Sequence, residues 1–403
     1  MISGDKMDRA LSSEPKPGPV VLFGSGETSP SGRKVFDLIL KRLPTSPRLA
    51  LLETPAGFEL NSAQVIGRVA DFLNHRLQNH QPQVTVVPAR KRGSEFSPDD
   101  PALVYPLLEA DLIFMGPGSP TYAVRQLQSS LAWHYLLARH QLGATMVFAS
   151  AAVVAISTFA LPVYEIYKVG ADLYWNKGLD FFGLYGLPLV LIPHWNNNDG
   201  GEELDTSRCF MGKRRFGELM QSLPADLSVI GIDEKTALIM DLQAGICRVV
   251  GLGGVTIIHT GHEHRISGQD LRGTGLDEVA EQRLGHIHIY KDGEEFPLQQ
   301  CCPLELRSVL ENLPPSAWKQ ALQVQECLAA ERTSANKALE PVLEGIPEEV
   351  KRLLEARQQA RARKDWSTAD KLRDQLAAQD WKVVDTPEGP QLVRKNDDSS
   401  KGA

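Results

Sequence analysis

The sequence predicts an α/β fold with a doubly wound, mostly parallel sheet, followed by a small C-terminal helical hairpin. Three observations carry this reading. Between residues 19 and 300, short apolar runs alternate with longer segments of helical period. Several of those runs are almost continuously apolar, as strands buried on both faces of a parallel sheet are. Beyond residue 346 the runs stop and charged, helix-forming sequence takes over.

In chain order, the strand candidates are PVVLFG (19–24), RLALLET (48–54), QVTVVPA (83–89), ADLIFMG (110–116), ATMVFAS (144–150), LPLVLIPH (187–194), LSVIGI (227–232) and TALIMD (236–241). Amphipathic helices are expected between them, notably over 62–77 and as one run over 121–140. Residues 250–298 read as β-rich. Residues 346–366 form a charged helix opened by Pro347. A second helix follows over 367–379, with Ser367 and Asp370 spaced as a capping box. Residues 381–395 read as two short strands around a Pro-Glu-Gly turn. The expected organisation is a disordered tail (1–18), an α/β domain (19–298), a connector (299–345), a hairpin (346–395) and a disordered end (396–403).

Composition bounds the function. The chain has 403 residues, 42% of them hydrophobic, enough for one large domain and a smaller one. A net charge of −7 gives no global nucleic-acid signal. The five cysteines, Cys209, Cys247, Cys301, Cys302 and Cys327, are odd in number and lack C-x-x-C spacing, so a reducing compartment is expected. The N-terminus has no apolar signal core, and no run reaches the roughly 18 apolar residues of a membrane span. A cytoplasmic protein with no membrane partner is expected.

Chemistry is expected at the C-terminal ends of strands. Ser150 lies between the strand at 144–149 and an apolar helix, where a nucleophile or a helix cap belongs. His194 ends another strand, and Asp233 and Glu234 lie between two more. The turn GPGSP after residue 115 directs the Gly118 N–H to the same edge. Each residue alone has a plain reading, as cap, packing residue or surface turn. Together they supply nucleophile, base, carboxylate and oxyanion donor. The turn GSGETSPSG is neither G-x-G-x-x-G nor a Walker motif, so it reads as a strand–loop turn near the site, and no nucleotide cofactor is expected. His259, His262, His264, His286 and His288 cluster without a carboxylate or cysteine pattern, so no metal is assigned.

The Ser-Ala corner, GLPLVLIPH and PADLSVIGIDEKTA, in that order, resemble the cyanophycinase and dipeptidase E peptidase family over residues 19–260. That resemblance implies a class I glutamine amidotransferase-like fold and a Ser-His-Glu triad. By position it implies Ser150 as nucleophile, His194 as base and Glu234 as third member, with Gly118 and the N–H of Ala151 as oxyanion donors. A serine at the corner argues against glutamine amidotransferase chemistry, which uses cysteine. The family's corner reads G-x-S-A-G, whereas Phe148 and Ala152 stand here. Read as a steric departure, this predicts that Phe148→Gly leaves the fold intact and does not reduce hydrolysis. The stretch NNNDGGEELDTSRCFMGKRR lengthens the path from His194 to Glu234 and is expected to reshape the pocket.

The tail, RLLEARQQARARKDWSTADKLRDQL with VVDTPEGPQLVR, resembles the C-terminal segment of bacterial cysteinyl-tRNA synthetases. The adenylate-forming motifs H-I-G-H and K-M-S-K-S are absent, so the chain is not expected to be an aminoacyl-tRNA synthetase. Residues 351–374 carry eight Lys/Arg against four Asp/Glu. Arg357, Arg361 and Lys364 share a helix face that reads either as a solvated hairpin surface or as a phosphate-contacting RNA module. The expectation is a serine-type peptidase or amidohydrolase acting on a small peptide or isopeptide, without a cofactor. The alternative is an inactive α/β scaffold whose hairpin binds tRNA or a protein.

Overall fold

The computed structural model describes residues 16–260, 287–302, 313–339, 347–362, 365–386 and 389–394. The chain divides into two compact units, Met1–Gln325 and Glu326–Ala403.

In the first unit the strands are β1 (Val20–Phe23), β2 (Arg48–Leu52), β3 (Gln83–Val87), β4 (Leu112–Met115), β5 (Thr145–Ala149), β6 (Phe159–Ala160), β7 (Asn176–Lys177), β8 (Leu189–Ile192), β9 (Ser228–Ile232), β10 (Thr236–Asp241), β11 (Ile246–Gly251), β12 (Gly254–His259), β13 (Ile287–Lys291) and β14 (Glu295–Pro297). The main sheet has eight strands in the order β14-β11-β10-β1-β5-β4-β2-β3. β1, β5, β4, β2 and β3 run parallel, while β10, β11 and β14 extend the sheet antiparallel. Every residue of β1, β4 and β5 is buried, which is why those runs are continuously apolar. β3, at the edge, alternates exposed with partly buried residues.

The principal helices of this unit are α1 (Pro30–Leu40), α2 (Ser62–Arg76), α3 (Pro120–Leu127), α4 (Leu131–Gln141), α5 (Ala151–Ala155) and α6 (Gly212–Gln221). The single helix expected over 121–140 is two. Ser129 turns left-handed at φ +57°, and the Ser130 side chain caps α4 by accepting from Trp133 N.

The expected single sheet is also two. β8 and β9 pair in parallel and join β12 and β13 in a separate sheet of order β13-β12-β9-β8. The chain changes sheets at Asp233–Lys235, with Lys235 at φ +56°, and returns as β10 antiparallel to β1. This corner brings Glu234 to the end of the main sheet. Successive strand residues feed opposite apolar clusters: Leu22 and Phe148 lie in one, and Val21, Phe23, Val147 and Ala149 in the other.

Much of the expected connector is a 25-residue helix, α7 (Pro315–Leu339). The second unit contains α8 (Glu348–Ala362), α9 (Trp366–Ala378) and an antiparallel pair, β15 (Trp381–Thr386) and β16 (Gly389–Arg394), in which Thr386 faces Gly389. Its core is Val350, Leu376, Trp381 and Leu392. The cap of α9 is Asp365, which accepts from Thr368 N at 3.0 Å, rather than the expected Ser367. Among the described residues, no helix is long and apolar enough to cross a membrane.

Candidate active site

The parallel register sets the site. Phe23 pairs with Ala149, and Met115 pairs with Phe148, so the turns after β1, β5 and β4 emerge side by side with the Ser150 corner in the middle. Ser150 has φ +52° and ψ −116° at the N-terminus of α5. That backbone is costly for a residue with a Cβ, and such strain gathers where side-chain aim matters. Ser150 makes no capping hydrogen bond with its side chain. Its Oγ instead lies 2.9 Å from His194 Nε2.

His194 follows β8 at φ +51°. Its Nδ1 lies 3.0 Å from Glu234 Oε1. A carboxylate only accepts, so Nδ1 carries the proton in this contact and Nε2 is left to accept from the serine hydroxyl. The hydrogen bond from His194 holds the Glu234 carboxyl below its usual range, against the opposing effect of burial. Asn197 adds to this, donating from Nδ2 to the same Oε1 at 2.9 Å. The Glu234 N–H donates to Asn196 Oδ1 at 2.8 Å.

The long stretch after His194 folds back onto the base. Arg208, Cys209 and Phe210 are consecutive left-handed residues, at φ +57°, +56° and +70°. Cys209 N donates to His194 O at 3.2 Å, and Arg208 N donates to Trp195 O at 2.9 Å. The Arg208 guanidinium stacks 3.9 Å from the Trp195 ring, and burial lowers its pKa to about 10. Burial pushes the Cys209 thiol up to about 12, so it stays protonated and is no nucleophile. The Phe210 ring centroid lies 5.7 Å from that of His194.

On the other flank, Gly118 has φ +145°, and a Cβ there would meet Pro55 O at 2.0 Å, so only glycine fits. Ser119 N donates to Pro55 O, and the Ser119 side chain caps α3. Neither Gly118 N nor Ala151 N has a hydrogen-bond acceptor among the described residues. Both donors are therefore unspent, Ala151 N directly after Ser150 and Gly118 N in the turn after the neighbouring strand β4.

Phe148 is not a defect of the corner. It is fully buried and packs edge-on against Phe181, with centroids 5.5 Å apart. The strained serine geometry forms with Phe148 in place, because strand alternation turns the ring into the core beneath the site.

Of the other candidates, His259 and His288 have ring centroids 6.3 Å apart, and His262, His264 and His286 lie outside the described residues. No group of three or more His, Cys, Asp or Glu among the described residues is arranged to hold a metal. In the second unit Arg357 is 5% exposed and Arg361 half-buried, while Lys364 lies outside the described residues. The face expected to offer Arg357 to phosphate is thus turned inward at that residue. Sequence reasoning missed Asn196 and Asn197 as supports of Glu234; their signal was the asparagine run directly after His194.

Residues 343–394 match the sequence model of the cysteinyl-tRNA ligase anticodon binding domain. Cysteine–tRNA ligase 1 of Burkholderia lata is 39% identical over 132 residues, covering 28% of this chain and 27% of that protein. The cysteine–tRNA ligase of Streptococcus thermophilus is 51% identical over 51 residues, covering 13% of this chain and 11% of that protein. The chain thus spans about a quarter or less of the length of the curated relatives it matches. The fold matches the crystal structure of a peptidase from an acI-B1 Actinobacterium, with a TM-score of 0.53 at 20% identity, over 71% of this chain and 99% of that one. The chain therefore joins an α/β fold like that of this solved structure to a segment like the anticodon binding domain.

Proposed function

We propose that this protein is a serine-type peptidase or amidohydrolase acting on a small peptide or isopeptide through Ser150, His194 and Glu234. The observation that carries the reading is Ser150 itself: a strained serine that caps nothing and lies 2.9 Å from an imidazole. His194 Nε2 accepts the hydroxyl proton as Oγ attacks the carbonyl carbon. The oxygen gains negative charge opposite the N–H groups of Gly118 and Ala151, where fixed donors stabilise it best. The imidazolium, held by Glu234, returns the proton to the leaving amine. Water then repeats the sequence on the acyl-enzyme. A fluorophosphonate probe is expected to label the wild type and not Ser150→Ala; equal labelling of both would overturn the assignment.

A second reading concerns the C-terminal unit and rests on its match to the anticodon binding domain. This unit contacts tRNA through phosphate, with Arg361 and Lys364 as contacts. Filter binding of the full chain to bulk tRNA is expected to weaken steeply with salt, since each phosphate contact releases counterions. Absence of binding at low salt would remove this reading.

A further inference from the structure

His194 N donates to Gly24 O at 3.1 Å, directly after β1, so the base is anchored on the β1 side of the Ser150 corner. On the other side lie the turns after β4 and β2, and they interlock: Ser119 N donates to Pro55 O at 2.9 Å. Phe58 follows three residues after Pro55. Tyr122 stands in the first turn of α3, where its N–H donates to Ser119 Oγ at 3.2 Å. The rings of Phe58 and Tyr122 meet with centroids 5.3 Å apart. The Tyr122 hydroxyl donates to Arg90 O at 2.9 Å, which fixes that ring.

A third ring comes from the segment that leaves the Ser150 helix. α5 is followed by the β6–β7 pair, and between those strands Glu165–Val169 forms one π-helical turn, a backbone that gathers at functional sites. Asn176 Nδ2 donates to Thr121 Oγ1 at 3.4 Å, which ties this segment to α3. Tyr164, just before the turn, sets its ring edge-on to Phe58 with centroids 6.4 Å apart. Burial raises the Tyr164 hydroxyl above its usual range, and the nearby Glu59 and Cys209 add to the rise. Tyr167, inside the turn, has its ring 5.4 Å from that of Phe210, which lies 5.7 Å from His194. Tyr164 and Tyr167 thus carry one short segment from the Phe58 side of the corner to the His194 side.

Phe58 is 45% exposed although two rings hold it. A phenyl ring held in place and left open to water is an anchor that an apolar ligand group covers. His194 returns a proton to the leaving amine, so that amine lies on the β1 side. The acyl part of the substrate then extends across Ser150 toward the turns after β4 and β2. We infer that Phe58 and Tyr164, backed by Tyr122, form an acyl-side subsite that takes an apolar or aromatic side chain. The inference rests on the hydrolase reading and narrows it to substrates that carry such a group on the carbonyl side of the cleaved bond.

The test uses p-nitrophenyl acetate and p-nitrophenyl 3-phenylpropionate, which share a leaving group and differ by a benzyl group on the acyl side. Each rate is divided by that of the uncatalysed hydrolysis. Wild type should favour the phenylpropionyl ester about ten- to a hundredfold in kcat/KM, as covering a phenyl ring implies. Phe58→Ala and Tyr164→Ala should each cut that preference at least about fivefold. Acetate turnover that persists in both variants shows that they are folded. Tyr164→Phe, which keeps the ring, should keep the preference. Ser150-dependent turnover with no preference, or a preference that survives both alanine variants, would overturn the inference and leave the triad standing. Absence of any turnover that Ser150→Ala abolishes would overturn both.

Discussion

Asn197 shares Glu234 Oε1 with His194 and is 3% exposed, so two protein donors hold that carboxylate oxygen. A hydrogen bond to a charged group is worth more than a neutral one. Asn197→Ala is expected to lower kcat/KM about tenfold, mainly through kcat, because the carboxylate then wanders from the imidazole. The pH dependence has a definite sign. The folded pKa of Glu234 is lowered, so its stabilisation is present above the unfolded carboxylate pKa and is lost as pH falls through the folded value. Losing the Asn197 donor raises the folded value, so acid loss of activity should begin at higher pH in the variant. An unchanged acid limb and kcat would assign Asn197 to packing alone. At this scale the meeting of Ser150, His194 and Glu234 was legible in the sequence, because each follows the end of a strand in a telling order. Asn197 was not, because its role depends on a contact with Glu234, 37 residues further along the chain.

At the scale of elements, the β5–α5 corner shows why a residue comparison misleads. Phe148 reads as a steric obstacle when only its neighbour Ser150 is considered. Its register opposite Leu22 and Met115, and strand alternation, send the ring into the core instead. Phe148→Gly is therefore expected to destabilise the fold by about 3–5 kcal/mol, the cost of deleting a buried aromatic side chain, rather than to leave it intact. Denaturant unfolding measures this, and a loss below about 1 kcal/mol would mean that the site collapses to fill the void. The eight strands expected between residues 19 and 241 are all present because continuous burial leaves a strong apolar signal. Their division into two sheets was not legible, since it turns on the three-residue corner at Asp233–Lys235. Nor does helical spacing reveal which side of α8 packs, so Arg357 was expected on a surface from which it is turned away.

For the whole molecule, the two resemblances fall in different parts of the chain, the α/β fold shared with the solved structure in the first unit and the anticodon-binding match within residues 343–394. None of Ser150, His194 and Glu234 lies in the second unit. Changing Arg361 and Lys364 to Ala is accordingly expected to flatten the salt dependence of tRNA binding and leave hydrolysis unchanged. A parallel loss of both would contradict this division of roles. The central claim is that His194, held by Glu234, activates Ser150. The most direct measurement is the second-order rate of fluorophosphonate inactivation, with the adduct mapped by peptide mass spectrometry, in wild type and in His194→Ala. The account predicts an adduct on Ser150 and a rate at least about a hundredfold lower in the variant. An adduct elsewhere, or equal rates in the two proteins, would contradict it.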